Sequence, residues 1–458
     1  MENFNLLVQN VSGFVWNKVL ILLLIGTGIF FTVVLKFIQV RKFGEGYKRA
    51  VKGVNLNGES AGADGMSSFQ SLATAIAAQV GTGNLAGAAT AIASGGPGAI
   101  FWMWISAFFG MATVYAEAVL GQLYKQRVDG EIVGGPAYYI SEGLGKNRFS
   151  KGLAIFFALS CVLALSFMGN AVQANSIASA FSNVLSIKPI YIGIPIAIVS
   201  GFIFWGGTQR IASFTEKVVP VMAGLYVGAS ILIIIFNFSQ VIPAFKMIIT
   251  GAFNPSAVLG GATGITIKEA VRFGVARGLF SNEAGMGSTP HAHAVAKVDK
   301  PSHQGSVAII TVFIDTFVVL NCTAFVIIMT GGVGSGFTGI TLTQLAFNKV
   351  LGSYGGIFIA ICLFFFALST IIGWYYFGIA NIKYLFGEKG MNPYRVIVIL
   401  FIILGSMAKV DLVWNLSDLF NGLMAIPNLI AIIALYKLVK KVADASDRAK
   451  HKLSLIHI

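Results

Sequence analysis

A glycine-bearing run interrupts an apolar segment long enough to cross a bilayer; it reads Ala78-Gln79-Val80-Gly81-Thr82-Gly83-Asn84-Leu85-Ala86-Gly87. Glycine costs about 1 kcal/mol relative to alanine inside a helix, and it lets backbone approach a ligand closely. Backbone groups left unpaired at membrane depth are tolerated only where they are buried in protein or line a cavity. The run therefore predicts a broken membrane helix with a solute-binding site at the break, as in secondary transporters.

The composition is that of a membrane protein. Of the 458 residues, 56% are hydrophobic and 11% are charged, and the mean hydropathy is +0.80. Soluble domains have about 45–50% apolar and 25% charged residues. The net charge of +14 does not indicate nucleic acid, because the basic residues are scattered through short loops and are not gathered on one face. The three cysteines have the spacing of neither a metal site nor a disulfide framework.

Eleven apolar stretches of membrane-spanning length are predicted. They cover approximately residues 16–40, 67–90, 98–123, 151–183, 189–206, 214–237, 266–290, 304–331, 354–383, 394–409 and 415–439. Loops on one side of these spans hold 23 of the 32 Lys and Arg residues, whereas the other side holds five. The positive-inside rule then predicts a multi-pass protein with its N-terminus outside and its C-terminus in the cytoplasm.

The eleven spans divide into one extra helix and two sets of five. The first span of each set carries a polar break, the second of which reads Gly278-Leu279-Phe280-Ser281-Asn282-Glu283-Ala284-Gly285. Because five crossings per set give the two sets opposite topology, the pattern predicts an inverted-repeat transporter with paired broken helices. The predicted organisation is an N-terminal helix and linker (1–52), a first repeat (53–240), a second repeat (241–440) and a cytoplasmic tail (441–458).

Packing faces of small residues are the alternative explanation for these glycines. Such faces do not require Asn84, Asn282 and Glu283 beside the glycines, and polar groups are costly at that depth. The polar neighbours therefore favour a binding site.

Four motifs resemble the signatures of the alanine or glycine:cation symporter family. They are Gly81-Thr82-Gly83-Asn84-Leu85-Ala86-Gly87-Ala88-Ala89, Gly95-Gly96-Pro97-Gly98-Ala99, Gly134-Gly135-Pro136-Ala137-Tyr138-Tyr139 and Gly278-Leu279-Phe280-Ser281-Asn282-Glu283-Ala284-Gly285-Met286-Gly287-Ser288. The resemblance covers about residues 40 to 440. It implies an all-α integral membrane protein with the LeuT fold of the amino acid–polyamine–cation superfamily, in which an extra N-terminal helix precedes a five-plus-five inverted repeat.

The same resemblance implies that the chain imports alanine or glycine with sodium, by alternating access, through a prokaryotic plasma membrane. Na⁺ is then the coupling ion, and no other cofactor is expected. A membrane enzyme is disfavoured, because no nucleophile–base pair or metal set lies at one depth. A monomer is expected.

The first break suits an amino acid zwitterion. The amides of Gly81, Thr82 and Gly83 open a helical segment, and a helix N-terminus carries about half a positive charge, which attracts a carboxylate. Carbonyls freed from Gly278 to Ser281 in the second break are expected to accept hydrogen bonds from the ammonium group. The predicted substrate-binding residues are Gln79, Gly81, Thr82, Gly83, Gln173, Gly278, Phe280, Ser281, Asn282 and Trp374.

The roles of four side chains near this site are left open. The amides of Gln173 and Asn175 either contact the substrate or form interhelical hydrogen bonds. Phe280 and Trp374 either limit the size of the pocket or pack as ordinary aromatic residues, because 12% of the chain is aromatic. A small pocket would favour alanine and glycine, since excluding bulk is easier than discriminating one methylene.

The resemblance implies a sodium site at the adjacent hydroxyls of Ser369 and Thr370, and hydroxyl oxygens are the hard ligands that Na⁺ takes. The resemblance implies that the carbonyls of Ala77, Val80 and Phe366 complete this site. The alternative is that both hydroxyls bond back to their own helix. A second cation position is implied at the Asn84 side chain and Ser281, although this chain carries Gln79 where that position commonly has a small residue.

Carboxylates within the predicted spans keep proton coupling open as an alternative. They are Glu117, Glu283 and Asp315. Proton-coupled members of the LeuT fold commonly use a lysine on the fifth core helix, and residues 218–237 contain none. Glu283 is expected to accept hydrogen bonds from amides freed by the break. A further alternative is an amino-acid-sensing channel or transceptor.

Two other motifs are set aside. The run Gly334-Ser335-Gly336-Phe337-Thr338-Gly339 matches a dinucleotide-binding pattern, but no βαβ unit surrounds it. His291 and His293 are placed on a cytoplasmic loop without the further donors that a metal site needs.

Overall fold

The computed structural model describes residues 2–52, 65–259 and 265–456, and helices make up most of them. The N-terminal part is one long helical path in three pieces that continues into two short helices. Its elements are α1 (Glu2–Phe14), a π-helical segment (Val15–Leu20), α2 (Ile21–Val34), α3 (Ile38–Arg41) and α4 (Phe43–Lys52). The predicted boundary between residues 52 and 53 borders residues outside the described ranges.

The first predicted repeat begins with a broken helix and contains a short hairpin. Its elements are α5 (Ser68–Gln79), a π-helical segment (Gly83–Gly87), α6 (Ala88–Gly95), α7 (Gly98–Leu123), β1 (Gln126–Val128), β2 (Glu131–Val133), α8 (Pro136–Gly143), α9 (Arg148–Cys161), a π-helical segment (Val162–Gly169), α10 (Asn170–Leu185), α11 (Ile190–Trp205) and α12 (Gly207–Phe236). The strands β1 and β2 pair antiparallel, with Arg127 opposite Ile132. A 3₁₀ turn (Phe238–Gln240), α13 (Val241–Phe253) and α14 (Pro255–Leu259) follow.

The second predicted repeat also begins with a broken helix. Its elements are α15 (Ile267–Asn282), α16 (Pro290–Ala294), α17 (Pro301–Val312), a π-helical segment (Phe313–Leu320), α18 (Asn321–Met329), α19 (Gly339–Leu351), α20 (Tyr354–Phe386), a 3₁₀ turn (Gly387–Gly390), α21 (Met391–Met407), α22 (Val410–Ala434) and the tail helix α23 (Tyr436–Ile456).

Both broken helices start with the same local device. Ser67 accepts a hydrogen bond from the amide of Gln70 (3.1 Å), and the Gln70 side chain accepts one from the Ser67 amide (3.1 Å). Thr266 and Glu269 form the corresponding reciprocal pair at the start of α15. These capping boxes satisfy amides that a helix start would otherwise leave unpaired. Both broken helices therefore begin with the same cap, while the division into two repeats stays a prediction.

Six helical segments within the described ranges are long and apolar enough to cross a membrane. They are Gly98–Leu123, Arg148–Leu185, Gly207–Phe236, Pro301–Met329, Tyr354–Met407 and Asp411–Ala434. The shorter apolar helices are Ile21–Val34, Ile190–Trp205 and Phe238–Phe253. The count differs from eleven partly because the two breaks divide their helices into pieces shorter than a bilayer, and partly because Tyr354–Met407 includes two predicted spans. Eleven crossings remain a prediction.

The two breaks lie in the interior of the molecule. Almost every residue of α5, α6 and the turn between them is buried, as are the last turn of α15 and all of α16. The long helix α20 packs against α5, α10 and α12, so its middle faces the first break. The extra N-terminal helix packs outside this core, against α7 and α22.

Candidate functional site

The first break frees backbone groups at the end of α5. The last regular hydrogen bond joins the Val80 amide to the Ile76 carbonyl (2.8 Å), and Val80 is extended (φ −81°, ψ 90°). The Gly81 amide turns away from the helix and donates to Asn84 Oδ1 (2.9 Å). The Ala77 carbonyl is therefore released from the partner that a continuing helix would supply.

The side chain of Gln173 closes over this break. Its Oε1 atom accepts hydrogen bonds from the Thr82 amide (3.0 Å) and the Thr82 hydroxyl (2.7 Å). A Cβ atom added to Gly81 would lie 3.1 Å from the same oxygen and would also crowd Thr370 Oγ1. An oxygen acceptor thus already lies at the amides where the sequence predicts a carboxylate. Gln173 therefore lies at the first break and is held there by hydrogen bonds between two helical segments, and its contact with the substrate stays a prediction.

The side chain of Asn175 does not lie at the first break. Its side-chain amide donates to the carbonyls of Gly405 (2.9 Å) and Ala408 (2.8 Å) at the end of α21. These are interhelical hydrogen bonds, and they lead away from the first break.

Direct contacts join the two breaks. Gln79 Nε2 donates to the Asn282 carbonyl (2.6 Å), while the buried Gln79 Oε1 has no hydrogen-bond partner. A Cβ atom at Gly83 would lie 2.9 Å from Ser281 Cα, so glycine is required for this close approach. Four of the predicted substrate residues therefore surround the point where the breaks meet.

The second break begins later than the sequence predicts. The helix α15 continues through Asn282, so Gly278 lies inside it and does not supply a freed carbonyl at a break. A Cβ atom at Gly278 would lie 3.2 Å from Ser106 Oγ on α7, which makes this glycine a helix-packing position. The chain turns at Glu283, which is left-handed (φ 58°), and at Gly285 (φ 83°) and Gly287 (φ 81°). The carbonyls of the last turn of α15 are the ones that the helix end leaves free.

Freed amides in the second break are held by Glu117 and not by Glu283, which corrects the expectation for Glu283. The buried Glu117 carboxylate accepts hydrogen bonds from the amides of Gly285 (3.2 Å) and Gly287 (3.0 Å), and from Asn428 Nδ2 (2.6 Å). These three donors satisfy a carboxylate on α7 that reaches across to the break.

Glu283 connects the break to α20 instead. Its carboxylate accepts hydrogen bonds from the Ser288 hydroxyl (2.5 Å) and from the Trp374 indole nitrogen. A left-handed conformation is unusual for a residue other than glycine and commonly marks a functional constraint. Here the backbone turn points the carboxylate at the indole.

Aromatic rings line one side of the junction between the breaks. Phe280 lies in the last turn of α15 and packs edge-on against Trp374, with ring centroids 6.0 Å apart. Phe280 also contacts Trp414 of α22, with a centroid distance of 4.9 Å. Phe280 and Trp374 are both buried. Both predicted aromatic residues are therefore at the junction, and Trp414 joins them.

All five predicted sodium ligands come together at the end of α5. The Thr370 hydroxyl lies 2.9 Å from the Ala77 carbonyl, 3.4 Å from the Val80 carbonyl and 3.0 Å from the Phe366 carbonyl. The Ser369 hydroxyl lies 2.8 Å from the Phe366 carbonyl and 3.4 Å from the Ala77 carbonyl. The oxygens are hard and uncharged, and two carbonyls come from the broken helix. This donor set fits Na⁺.

The second cation position contains a carboxylate that the sequence did not place there. Asp315 Oδ1 accepts hydrogen bonds from Asn84 Nδ2 (2.6 Å) and the Ser281 hydroxyl (2.9 Å), and Oδ2 accepts one from Thr316 (2.9 Å). Asn282 Nδ2 in turn donates to Thr316 (3.1 Å). Asp315 lies in the π-helical segment after α17, and such segments are frequent at functional sites.

The two histidines lie outside any loop. His291 and His293 are buried in α16, where His291 stacks between Phe157 and Phe377, and His293 Nδ1 pairs with Gln304 Nε2 (2.8 Å). No group of three or more metal-binding side chains occurs among residues 2–52, 65–259 and 265–456.

Asn170 is a candidate residue that sequence reasoning missed. It begins α10, one helical turn before Gln173, and neither polar atom of its fully buried amide has a hydrogen-bond partner. Its neighbour Gly169 packs against the Trp374 ring. An asparagine within an apolar span was the signal that the sequence offered for this residue.

A polar cavity of about 460 Å³ lies beyond the aromatic rings, on the side of the N-terminal helix. Its lining includes Thr90, Arg277, Asp411 and Trp414. Arg277 forms two hydrogen bonds with the Asp418 carboxylate (2.7 and 3.0 Å) and lies 4.8 Å from the centre of the Trp414 ring. Trp414 thus separates this cavity from Phe280 and the junction.

Comparison with known sequences gives a match over nearly the whole chain. The family model described as the sodium:alanine symporter family matches residues 1–454. The sodium/alanine symporter AgcS of Methanococcus maripaludis is 43% identical over 439 residues, which are 94% of this chain and 95% of that protein. The probable sodium/glutamine symporter GlnT of Bacillus subtilis is 40% identical over 435 residues, with 94% and 88% covered.

Among solved structures, MhsT in complex with L-phenylalanine is similar, with a TM-score of 0.56 at 14% identity. The alignment covers 85% of this chain and 100% of that chain. At this identity the likeness is evidence of fold alone. It confirms the predicted helical LeuT fold.

Proposed function

The chain belongs to the sodium:alanine symporter family, and we propose that it imports alanine or glycine together with Na⁺ by alternating access. The family resemblance noted from the motifs is confirmed, and the chain is a cation-coupled amino acid transporter, not an enzyme. The observation that carries the proposal is the meeting of two broken helices beside the unpaired Gln79 Oε1 atom, with five hard oxygens gathered at the end of α5.

The substrate carboxylate binds in this proposal at the amides and hydroxyl of the first break. Gln173 Oε1 accepts hydrogen bonds from Thr82 N and Thr82 Oγ1, so a carboxylate oxygen at the same point finds the same donors. The positive end of the helical segment that begins there adds a favourable field. Substrate binding then requires the Gln173 side chain to move aside or to share these donors.

The ammonium group binds on the opposite side of the junction. Gln79 Oε1 is buried without a partner, and the last turn of α15 presents carbonyls near Ser281 and Asn282. An unpaired acceptor is costly in the interior, and a donor from the substrate removes that cost. Phe280 and Trp374 pack together over the junction, which supports a small side chain on the substrate.

Sodium binds in this proposal at Ala77, Val80, Phe366, Ser369 and Thr370. Two of these residues lie at the end of α5, and a Cβ atom added to the Gly81 that follows would crowd both Gln173 and Thr370. The ion and the substrate therefore order the same turn of backbone. Shared ordering of one element makes the binding of each ligand favour the binding of the other.

Uptake of labelled alanine into proteoliposomes tests the proposal. We expect accumulation when an inward Na⁺ gradient is imposed, and none when choline replaces Na⁺. Accumulation driven by an inward proton gradient without Na⁺ would instead support the proton-coupled alternative. Alanine binding without accumulation under any gradient would favour a channel or transceptor.

A glycine pair provides a matched control for the site itself. Gly81→Ala adds a methyl group that would crowd Thr370 Oγ1 and Gln173 Oε1, so alanine uptake should be lost. Gly224→Ala on α12 adds the same methyl group with no heavy atom within 4 Å, and uptake should be retained. Normal uptake by the Gly81 variant would contradict the proposed site.

A further inference from the structure

Glu216 is a buried carboxylate with too few partners. It lies on α12 and is 5% exposed. Its Oε2 atom accepts a hydrogen bond from Gln70 Nε2 (3.1 Å), whereas Oε1 has no partner. No ion pair within the described ranges reaches it. A buried carboxylate oxygen without donor or counter-charge is unfavourable, so the site favours a positive species there, either a metal cation or a proton.

Polar groups lead from the candidate sodium site to this carboxylate. Ala77, Thr74 and Gln70 are three and four residues apart and therefore share one face of α5. Thr74 Oγ1 lies 3.1 Å from Thr215 Oγ1, the residue beside Glu216. The distance from Ala77 to Gln70 along the helix is about 10 Å at a rise of 1.5 Å per residue.

The same face of α12 reaches the sodium site at its other end. Met222, seven residues after Thr215, contacts the Ser369 hydroxyl through its sulfur (3.6 Å). The helices α5 and α12 are thus packed along one seam, with candidate sodium ligands at one end and the Gln70–Glu216 pair at the other. The Glu216 end is the end nearest the start of α5, which the loop charges predict to face the cytoplasm.

We propose that Glu216 forms a separate Na⁺ release site on the cytoplasmic side, which receives the ion as it leaves the Ser369–Thr370 site past the hydroxyls of Thr74 and Thr215. This proposal rests on the proposed function, because it takes that site as the source of the ion. Glu216 Oε1 supplies the charged ligand, and the two hydroxyls supply neutral oxygens. Both hydroxyls are fully buried in this conformation, so α5 and α12 must separate when the ion leaves.

This arrangement of charges explains why Na⁺ is released toward the cytoplasmic side. The candidate site at Ser369 and Thr370 offers uncharged oxygens, whereas Glu216 is negatively charged when ionised. A negative group on one side of a neutral site attracts a cation toward that side, and the attraction is strong where water is excluded. Glu216 therefore acts on Na⁺ at the cytoplasmic face and has little effect on Na⁺ arriving from outside.

Alanine uptake into right-side-out and inverted membrane vesicles tests this assignment with Glu216→Gln. The substitution keeps the size of the side chain and removes its charge. We expect the Na⁺ concentration for half-maximal uptake to rise about tenfold in inverted vesicles and less than twofold in right-side-out vesicles. Equal changes in both preparations, or no change in either, would overturn the proposal.

Three further variants keep the result interpretable. Glu216→Asp retains the charge and should stay within about threefold of the wild type from both sides. Glu142→Gln removes a carboxylate that pairs with Lys146 at the surface, and no change is expected. Thr215→Val should raise the Na⁺ concentration for half-maximal uptake about threefold in inverted vesicles. If Glu216→Gln does not fold, an unchanged Na⁺ concentration for the Thr215 variant overturns the proposal. If alanine uptake by the wild-type protein did not depend on Na⁺, that result would contradict the proposed function itself.

Discussion

The hydroxyls of Ser369 and Thr370 form the contacts expected for back-bonding to their own helix and also those expected for a sodium site. Each hydroxyl lies within 3.0 Å of the Phe366 carbonyl of its own helix, as in ordinary back-bonding. Each hydroxyl also approaches the Ala77 carbonyl of another helix, 292 or more residues away in sequence. The second contact is the one that a back-bonding serine or threonine does not require, and it places the hydroxyls among carbonyls that a cation can bind.

Thr370→Val tests this residue. The side chain keeps its shape and loses one hard oxygen, which should weaken Na⁺ binding by about 1–3 kcal/mol, the range for a lost hydrogen-bond-class interaction. Apparent Na⁺ affinity in proteoliposome uptake should fall about 5- to 150-fold, and alanine affinity at fixed Na⁺ should fall with it. Ser369→Ala should act in the same direction.

Thr330→Val is the matched control for this experiment. The Thr330 hydroxyl also bonds back to its own helix, at the Val326 carbonyl (2.8 Å), but it lies away from α5. The Thr330→Val variant should leave the Na⁺ dependence of alanine uptake unchanged. If the Thr370 and Ser369 variants behave like the Thr330 variant, the sodium site lies elsewhere, and the Asn84, Ser281 and Asp315 cluster becomes the leading candidate.

The turn in the second broken helix is held by hydrogen bonds to side chains of other helices. Between α15 and α16, two glycines with positive φ expose amides that both face the Glu117 carboxylate on α7. Asn428 of α22 donates to the same carboxylate and to the Gly285 carbonyl (2.9 Å). Tyr139 donates to Asn428 in turn. Three separate helices therefore fix one turn of chain, which indicates a structural role for Glu117.

Glu117→Gln should destabilise this element. The amide retains one acceptor oxygen, so at least one of three hydrogen bonds to a charged group is lost, and each is worth about 1.5–3 kcal/mol. We expect a lower melting temperature of the detergent-solubilised protein by fluorescence-detected gel filtration. The surface variant Glu142→Gln should melt like the wild type. An unchanged melting temperature for Glu117→Gln with lost proton-driven uptake would instead indicate a proton relay.

On the scale of the whole molecule, an ion cluster ties the two ends of the chain together. Lys42, which is 2% exposed, contacts Glu45 (3.3 Å) and Asp447 (3.0 Å), and Arg41 also pairs with Asp447 (2.8 Å). Asp447 lies on the tail helix α23, and the two cations lie on the linker that follows the extra N-terminal helix. The cluster therefore joins the predicted first and last parts of the chain on one face.

The stability contributed by this cluster should depend on pH. Partial burial raises the pKa of Asp447, but hydrogen bonds and attraction from Arg41 and Lys42 outweigh it, so the pKa is lowered overall. Because the folded state then binds fewer protons, the contribution is present above the ordinary Asp pKa of about 3.9 and is lost as the pH falls through the lowered value. Asp447→Asn should melt below the wild type at pH 7, and the difference should shrink as the pH falls through the lowered pKa of Asp447.

The exposed Asp444→Asn variant on the same helix serves as the control for this comparison. Its partner Lys440 is four residues away, and exposed pairs contribute about 0.2–1 kcal/mol at most. A difference between the melting temperatures of Asp447→Asn and wild type that does not shrink as the pH is lowered would show that the substitution acts through packing and not through charge.

Orientation in the membrane is testable with single cysteines. Asn10 and Ala445 are both exposed, and the three native cysteines are buried and can be replaced. In intact cells, a cysteine at position 10 should react with an impermeant thiol reagent, whereas one at position 445 should react only after permeabilisation. The opposite pattern would reverse the topology and the predicted assignment of sides to the repeats.

Local chemistry made part of this protein predictable from sequence. The break after Gln79 and the pairing of Ser369 with Thr370 depend on neighbouring residue types, because glycine weakens a helix wherever it stands and adjacent hydroxyls stay adjacent in any fold. The membrane class follows from composition in the same way. The motif at residues 278–288 identified the family, although its glycines did not reveal that α15 continues to Asn282.

Tertiary structure alone decided which distant polar groups meet. Glu117 rather than Glu283 accepts the freed amides, Asp315 joins Asn84 and Ser281, and Asn175 bonds to α21 while Gln173 reaches the first break. A buried carboxylate or amide must find partners wherever the packed helices bring them within about 3 Å. That distance depends on how helices far apart in sequence cross, and hydropathy and residue spacing do not encode it.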